Sequence, residues 1–430
     1  MTSWYRAMDG KTRRVFWTCS FGWAMDTADG LVFQYLIPVL VAGLGITLAQ
    51  ASLITSANYI AAALGGWLGG WLCDRFGRAR ILQFTIAWFS FFSFLSGFAH
   101  NFHELLAARL AQGIGFGAEW AVGAVLLGEM LNARDRGKVL GVVHSGAAIG
   151  SGIAALMAGP VASAFGPEYG WRVVFWAGSL PAILIFFIRR GSDDSEVFKA
   201  ARKLSLATGR KVSLGTIFTP RVLPITVFAA LLAVGGQGAG FAVSNYLTTF
   251  LHNERGLSTS VAGYCVLFNS AGGFLGFITN AYLSDRLGRR AIFRLFGLGF
   301  ILTSSLYLFG PWGANLALLI PLGLIYGFFQ FGIYASFGPY FTELFPTEIR
   351  GTGQAFCYNF GRATSGLFFI GVGALTAHMA LSAAMATMAI GAILLAVIAT
   401  LFLPETAGAE LRGMDDEAER IALEEVPAGA

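Results

Sequence analysis

Long apolar runs alternate along the chain with short polar turns. Six runs precede residue 189: Val15 to Leu44, Ala51 to Leu72, Ile81 to Phe98, Leu105 to Leu131, Val139 to Phe165 and Val173 to Ile188. Six more follow residue 221: Val222 to Leu251, Val261 to Leu283, Phe293 to Phe309, Leu316 to Leu344, Gly351 to Thr376 and Leu381 to Leu403. Roughly 20 apolar residues of helix cross a ~30 Å hydrocarbon core, and a helix bonds its own backbone polar groups where no water can. The pattern therefore predicts an all-α polytopic membrane protein of 12 transmembrane helices in two six-helix halves, residues 1–188 and 222–403. Between them, Arg189 to Arg221 is polar with eight basic residues and reads as a cytoplasmic central loop. Residues 404–430 read as a polar, acidic cytoplasmic tail.

Composition supports this and narrows it. The chain is 56% hydrophobic and only 12% charged, against about 25% charged in soluble proteins. Its 56 glycines suit close helix packing in lipid. Of the 29 Lys and Arg residues, 25 fall at the amino terminus, in the even-to-odd turns, the central loop and the tail. Only Arg172 and Arg255 fall on the opposite side, and Arg109 and Arg362 lie within spans. Basic loops stay cytoplasmic, so both termini are expected inside an inner (plasma) membrane. The net charge of +5 then reflects topology, with no nucleic-acid partner implied. Met1 to Arg14 is polar and basic, and the first apolar run is too long for a cleaved leader, so it is expected to remain as the first span. Cys19, Cys73, Cys265 and Cys357 lie in or beside apolar runs without metal-ligand spacing.

GGWLCDRFGRAR, Gly69 to Arg80, returns as NAYLSDRLGRR, Asn280 to Arg290, and from Asp74 to Asp285 is 285 − 74 = 211 residues. Glu129, Arg136 and Gly137 return as Glu343, Arg350 and Gly351, each 214 residues on. Two markers at nearly one offset indicate a duplication. The repeated stretch resembles the signature between the second and third helices of the major facilitator superfamily. That resemblance implies an inner latch closing the cytoplasmic side, with Asp74, Arg75, Gly77 and Arg78 in one copy and Asp285, Arg286, Gly288 and Arg289 in the other. Glu129, Arg136, Glu343 and Arg350 read as part of the same gate network.

Charges inside spans are costly, by ~2.5 to 3.5 kcal/mol on insertion scales, and mark function or internal pairing. Asp26 and Asp29 lie three residues apart in the first span. At ~1.5 Å per residue, Asp29 rises about 21 Å from the cytoplasmic surface, and Arg109 reaches the same depth from the outer side. The two can pair. Such a pair suits proton coupling, since the guanidinium holds the carboxylate ionised when near and releases it when separated. A static ion pair locking two helices is the alternative reading, and Asp26 is the competing carboxylate. Glu119, near mid-span in the fourth run, is expected to face a cavity as a second protonatable site or to bond a neighbouring helix.

Arg362 lies about 17 Å above the cytoplasmic face, where a guanidinium suits bidentate capture of a carboxylate; an internal partner such as Asp26 is the alternative. Gln34, Gln237, Asn245, Tyr246, Gln330, Tyr334, Tyr358 and Asn359 lie at comparable depths and could complete a pocket, though packing explains each one singly. His144, in VVHSGAAIGSG, is a titratable or structural histidine in the fifth span.

RLAQGIGFG, opening at Arg109, resembles the superfamily's fourth-helix motif. Asp26, Asp29 and Pro38 resemble the first-helix pattern of aromatic-acid/proton symporters. GAEWAVGAVLLGE, with Ala118 in place of a second glycine, is similar to the sialic-acid and lactate-type symporters, and Gly361-Arg362 matches an eleventh-helix pair of carboxylate carriers. The resemblance implies symport of a small organic anion with protons by alternating access, without cofactor and functional as a monomer. A neutral-sugar/proton symporter and a drug/proton antiporter are the rivals; the antiporter's fifth-helix signature is absent, because Val161, Ala162 and Ser163 follow Gly159-Pro160. No phosphate-binding loop, metal cluster or nucleophile motif supports an enzyme.

Overall fold

The computed structural model describes residues 3–166, 168–177, 194–208, 213–411 and 413, and among these there are helices and no strand. A short helix, Ser3–Ala7, leads into the first span, Gly10–Leu44. The second to fourth spans are Leu48–Phe76, Arg78–Ser96 and Phe102–Met130. The eighth and ninth are Thr259–Leu287 and Arg289–Phe309, and the eleventh and twelfth are Arg350–Leu375 and Leu381–Phe402. Seven described helices are long and apolar enough to cross a membrane. A helix over residues 168–177 takes in the start of the sixth predicted span; the remainder of that span lies outside the described residues, as do residues 189–193 and 209–212 of the central loop and most of the tail.

Among the described residues three spans are interrupted. The fifth is divided into Arg136–His144, Gly146–Leu156 and a wide turn, Met157–Val161, around Pro160. Proline has no N–H to give the helix and crowds the preceding turn. The seventh breaks between Leu223–Ser244 and Leu247–Asn253, and the tenth passes through a tighter turn, Ile333–Ser336, between Leu316–Gly332 and Phe337–Leu344. The predicted central loop contains a helix of its own, Glu196–Thr208.

Local chemistry sets many of the ends. Asp9 caps the first span by accepting from the Thr12 N–H at 2.8 Å. Thr47 and Gln50 form a reciprocal capping box at the second. The turns into the third and ninth spans pass through Gly77 at φ 112° and Gly288 at φ 93°, conformations that a side chain would strain.

The second span packs on the fourth and the eighth on the tenth, while the first meets the fifth and the seventh meets the eleventh. Between halves the second meets the eleventh and the fifth meets the eighth. Each pair recurs six spans on, which is a pseudo-twofold arrangement. Large apolar side chains such as Ile60, Leu64, Leu267, Leu302 and Ile370 are more than half exposed on the outer faces, where lipid rather than water meets them.

Candidate functional site

One end of the helix bundle, where the second-third and eighth-ninth turns lie, carries two matching networks. The Asp74 carboxylate accepts from the N–H groups of Gly351 at 3.0 Å and Thr352 at 2.7 Å, and from the Thr352 hydroxyl at 2.7 Å. These are the first residues of the eleventh span, whose N–H groups have no partner within the helix and whose dipole favours an anion. Asp74 also pairs with Arg78 at 3.0 Å, and Arg78 reaches Glu129 at 3.2 Å. Glu129 then pairs with Arg350 of the other half at 2.9 Å.

The second network repeats the first. Asp285 accepts from the N–H groups of Gly137 at 3.0 Å and Lys138 at 2.9 Å, at the start of the fifth span. Asp285 pairs with Arg289 at 2.7 Å, Arg289 with Glu343 at 2.8 Å, and Glu343 with Arg136 at 3.1 Å. Arg75 and Arg286, placed in the latch by sequence, are exposed and outside these networks. Arg75 instead lies over the rings of Trp71 and Phe76, at 5.4 and 5.6 Å. As immediate neighbours of Asp74 and Asp285 on a helix, both point about 100° away from the latch.

Four further residues join these networks. Asp194 accepts from the Ala79 N–H at 2.8 Å, and the Ser195 hydroxyl donates to Glu129. Glu405 accepts from the N–H groups of Arg289 at 2.7 Å and Arg290 at 3.0 Å, and the Thr406 hydroxyl donates to Glu343 at 2.7 Å. From Asp194 to Glu405 is 405 − 194 = 211 residues, the offset of the two latches. That signal was present in the sequence, hidden by the exchanges of Asp for Glu and Ser for Thr. Loss of such a cap costs ~1 kcal/mol, so Glu405→Ala is expected to open the inner gate about fivefold more often, read as faster maleimide labelling of buried Cys73.

Beyond the gate lies a cavity of about 720 Å³. Gln34, Gln237, Asn245, Tyr334, Tyr358 and Arg362 line it, together with Arg109, Tyr59, Phe116 and His144. Tyr246, Gln330 and Asn359 do not, and each has another role. Tyr246 stacks on Phe369 at 4.9 Å, Gln330 donates to the Ser244 hydroxyl at 2.8 Å, and Asn359 donates across the seam to the Gly117 carbonyl at 3.1 Å. Gln237 donates to the Tyr358 carbonyl at 2.8 Å and Gln34 to the Tyr59 hydroxyl at 2.7 Å.

Arg362 lies over the ring of Phe116 at 4.7 Å and that of Tyr358 at 5.8 Å. Among the described residues it forms no ion pair, so the anticipated alternative of an internal salt bridge to Asp26 is not formed. A guanidinium held between aromatic faces keeps its donors available to a planar anion.

Asp29 and Arg109 are brought together at 3.5 Å, both almost fully buried. The Ser93 hydroxyl and the Gln112 amide also donate to Asp29. Arg109 lines the cavity, and Asp29, paired with it, does not. Asp26 and Glu119 are buried, at 1% and 2% exposure, and neither lines the cavity. Of the two readings of Glu119, a cavity-facing acid or a bond to a neighbouring helix, its place outside the cavity lining favours the second.

Residues 17–370 and 281–420 match the family model of the Major Facilitator Superfamily. The chain belongs to that superfamily. This facilitator is therefore a multi-pass membrane transport protein and not an enzyme. It is 37% identical over 416 residues to a probable 4-methylmuconolactone transporter of Cupriavidus pinatubonensis, covering 97% of this chain and 96% of the relative. It is 28% identical over 386 residues to a cis,cis-muconate transport protein of Acinetobacter baylyi, covering 89% and 92%. Among solved structures, the proton:xylose symporter XylE superposes with a TM-score of 0.75 at 18% identity, covering 95% of this facilitator and 99% of that chain. At that identity the likeness concerns the fold.

Proposed function

We propose that this facilitator moves a small organic anion, a carboxylate, together with protons across the inner membrane by alternating access, as a monomer with both termini cytoplasmic. The observation that carries the reading is Arg362, a cavity-lining guanidinium between two aromatic rings and in no ion pair among the described residues. The relatives support it, since one is named for muconate, a dicarboxylate. The closed inner gate beneath the cavity is one end state of such a cycle, and duplicated halves around a mid-membrane site are the usual frame for it.

In this reading the substrate carboxylate binds Arg362. Arg109, which touches both the cavity and Asp29, responds to the added anion. Its shift away from Asp29 releases that acid to take a proton, and the halves then rock.

The test is uptake into proteoliposomes under an inward proton gradient, with benzoate, lactate, sialic acid, cis,cis-muconate, a neutral sugar and a cationic dye. Accumulation of an acid that a protonophore collapses is expected. Uptake of the sugar alone, or outward movement of the dye, would replace this reading with one of its rivals. Asp29→Asn is expected to abolish accumulation while leaving exchange of internal for external acid. Unchanged accumulation in that variant would remove Asp29 from the coupling.

A further inference from the structure

The amino-terminal helix, Ser3–Ala7, has five residues, well below the ~12 that a helix needs to persist by its own hydrogen bonds. The first span orders it. The Arg13 guanidinium donates to the Tyr5 carbonyl at 3.1 Å and to the Arg6 carbonyl at 2.9 Å, at the end of the helix where carbonyls lack partners within it. The Trp17 indole donates to the Tyr5 hydroxyl at 2.9 Å, and the Trp4 ring meets the edge of Phe16 at 5.7 Å.

These contacts direct Trp4 at the other half of the molecule. Its indole N–H donates to the Tyr282 hydroxyl at 3.0 Å, across 278 residues of chain. Tyr282 stands on the eighth span, three residues before the latch residue Asp285. Trp4 and Met8, although close to the chain terminus, are only 9% and 8% exposed.

The duplication shows that a lead-in helix does not have to cross. A tight turn of helix, Leu214–Phe218, precedes the seventh span 211 residues after Ser3–Ala7. Its Phe218 packs on Phe356 of its own half at 5.2 Å and is 50% exposed. One lead-in stays within its half, whereas the other is tied to the opposite half.

We propose that the amino-terminal helix is a strap, fastened by the Trp4–Tyr282 hydrogen bond, that ties the two halves together beside the latch and sets how often the inner gate opens. This rests on the alternating-access reading above and is independent of what the cavity binds. Parting the halves at this end carries the eighth span away from the first, so the bond breaks whenever the gate opens. The strap is a neutral pair of side chains on a segment outside the spans, whereas the latch is built from charges at the span ends.

The experiment reads maleimide labelling of Cys73 in the full-length protein lacking Cys19, Cys265 and Cys357, with Trp4→Phe, Tyr282→Phe and both together. Cys73 lies against Gly351 where the second span meets the eleventh. It is on neither element that the strap joins, so it reports the parting of the halves rather than local loosening at Trp4. Each single variant keeps a ring in place and removes one partner of the bond, and each is expected to label about fivefold faster, the worth of one hydrogen bond. The double variant should label no faster than either single one, because all three lack the same bond. Both single variants labelling at the parent rate, or rates that multiply in the double variant, would overturn the strap. Glu129→Ala is the reference. Fast labelling there beside unchanged labelling in Trp4→Phe and Tyr282→Phe removes the strap alone, whereas unchanged labelling in all of them removes the gate reading as well. Tyr282→Phe carries the test if Trp4→Phe does not fold.

Discussion

Arg362→Ala is expected to remove anion binding almost entirely. The side chain contributes a fixed charge and a planar pair of donors in a cavity whose nearest walls are the rings of Phe116 and Tyr358. Truncating one member of a desolvated, hydrogen-bonded charge pair costs ~2–5 kcal/mol, a weakening of about 30- to 5,000-fold. Titration of the purified variant with benzoate or cis,cis-muconate reads this directly. Arg362→Lys keeps the charge as a point without the planar fork and should recover only part of the affinity. Wild-type affinity in the alanine variant would show that the carboxylate is held elsewhere, with Arg109 the next candidate.

Glu129→Ala should have the largest effect on gating. One carboxylate group there serves two guanidinium groups, Arg78 at 3.2 Å and Arg350 at 2.9 Å. Both arginines are almost completely buried, at 0% and 1% exposure. Its removal leaves Arg350 without its carboxylate and Arg78 with Asp74 alone, two like charges facing each other, at a cost of ~3–5 kcal/mol to the closed gate. Cys73 is a native reporter, fully buried against Gly351 in the seam. In a protein lacking Cys19, Cys265 and Cys357, labelling of Cys73 by a membrane-permeant maleimide is expected to rise by two orders of magnitude or more, against about fivefold for Glu405→Ala. Labelling at the parent rate in a folded Glu129→Ala protein would show that the network does not hold the gate.

The parts of this molecule that were legible in sequence are those governed by height in the membrane. Hydropathy places the helices, and residue counting brings Asp29 and Arg109 to one depth, where they pair. Counting says nothing about direction around the helix axis. Tyr358 and Arg362, four residues apart, share a face and line the cavity, whereas Asn359, one residue on, turns into the seam. Glu119 stands ten residues from Arg109, about a quarter turn off its face, and is buried away from the open space. The latch was legible because it is duplicated, and a single copy would have read as a basic turn. Its main bonds were not legible, since Asp74 meets Thr352 across 278 residues of chain. The breaks at Ser145 and Tyr246 escaped because each lies inside a long apolar run that a few polar residues, His144-Ser145 and Ser244-Asn245, do not end.

The pseudo-twofold frame has one consequence for energy conversion. The latches are near copies, but the contents of the cavity are not. At the 211-residue offset, Gln237 and Gly240 occupy the places of Asp26 and Asp29, and at the 214-residue offset Ala148 occupies the place of Arg362. The mid-membrane acids thus belong to one half, and the cavity-lining guanidinium of Arg362, without an ion pair among the described residues, to the other. Any tilt of one half against the other alters the separation of fixed charges in a medium of low permittivity, where Coulomb energies are large. In the proposed alternating-access cycle the rocking coordinate is therefore also an electrical one, and the transmembrane voltage acts on it.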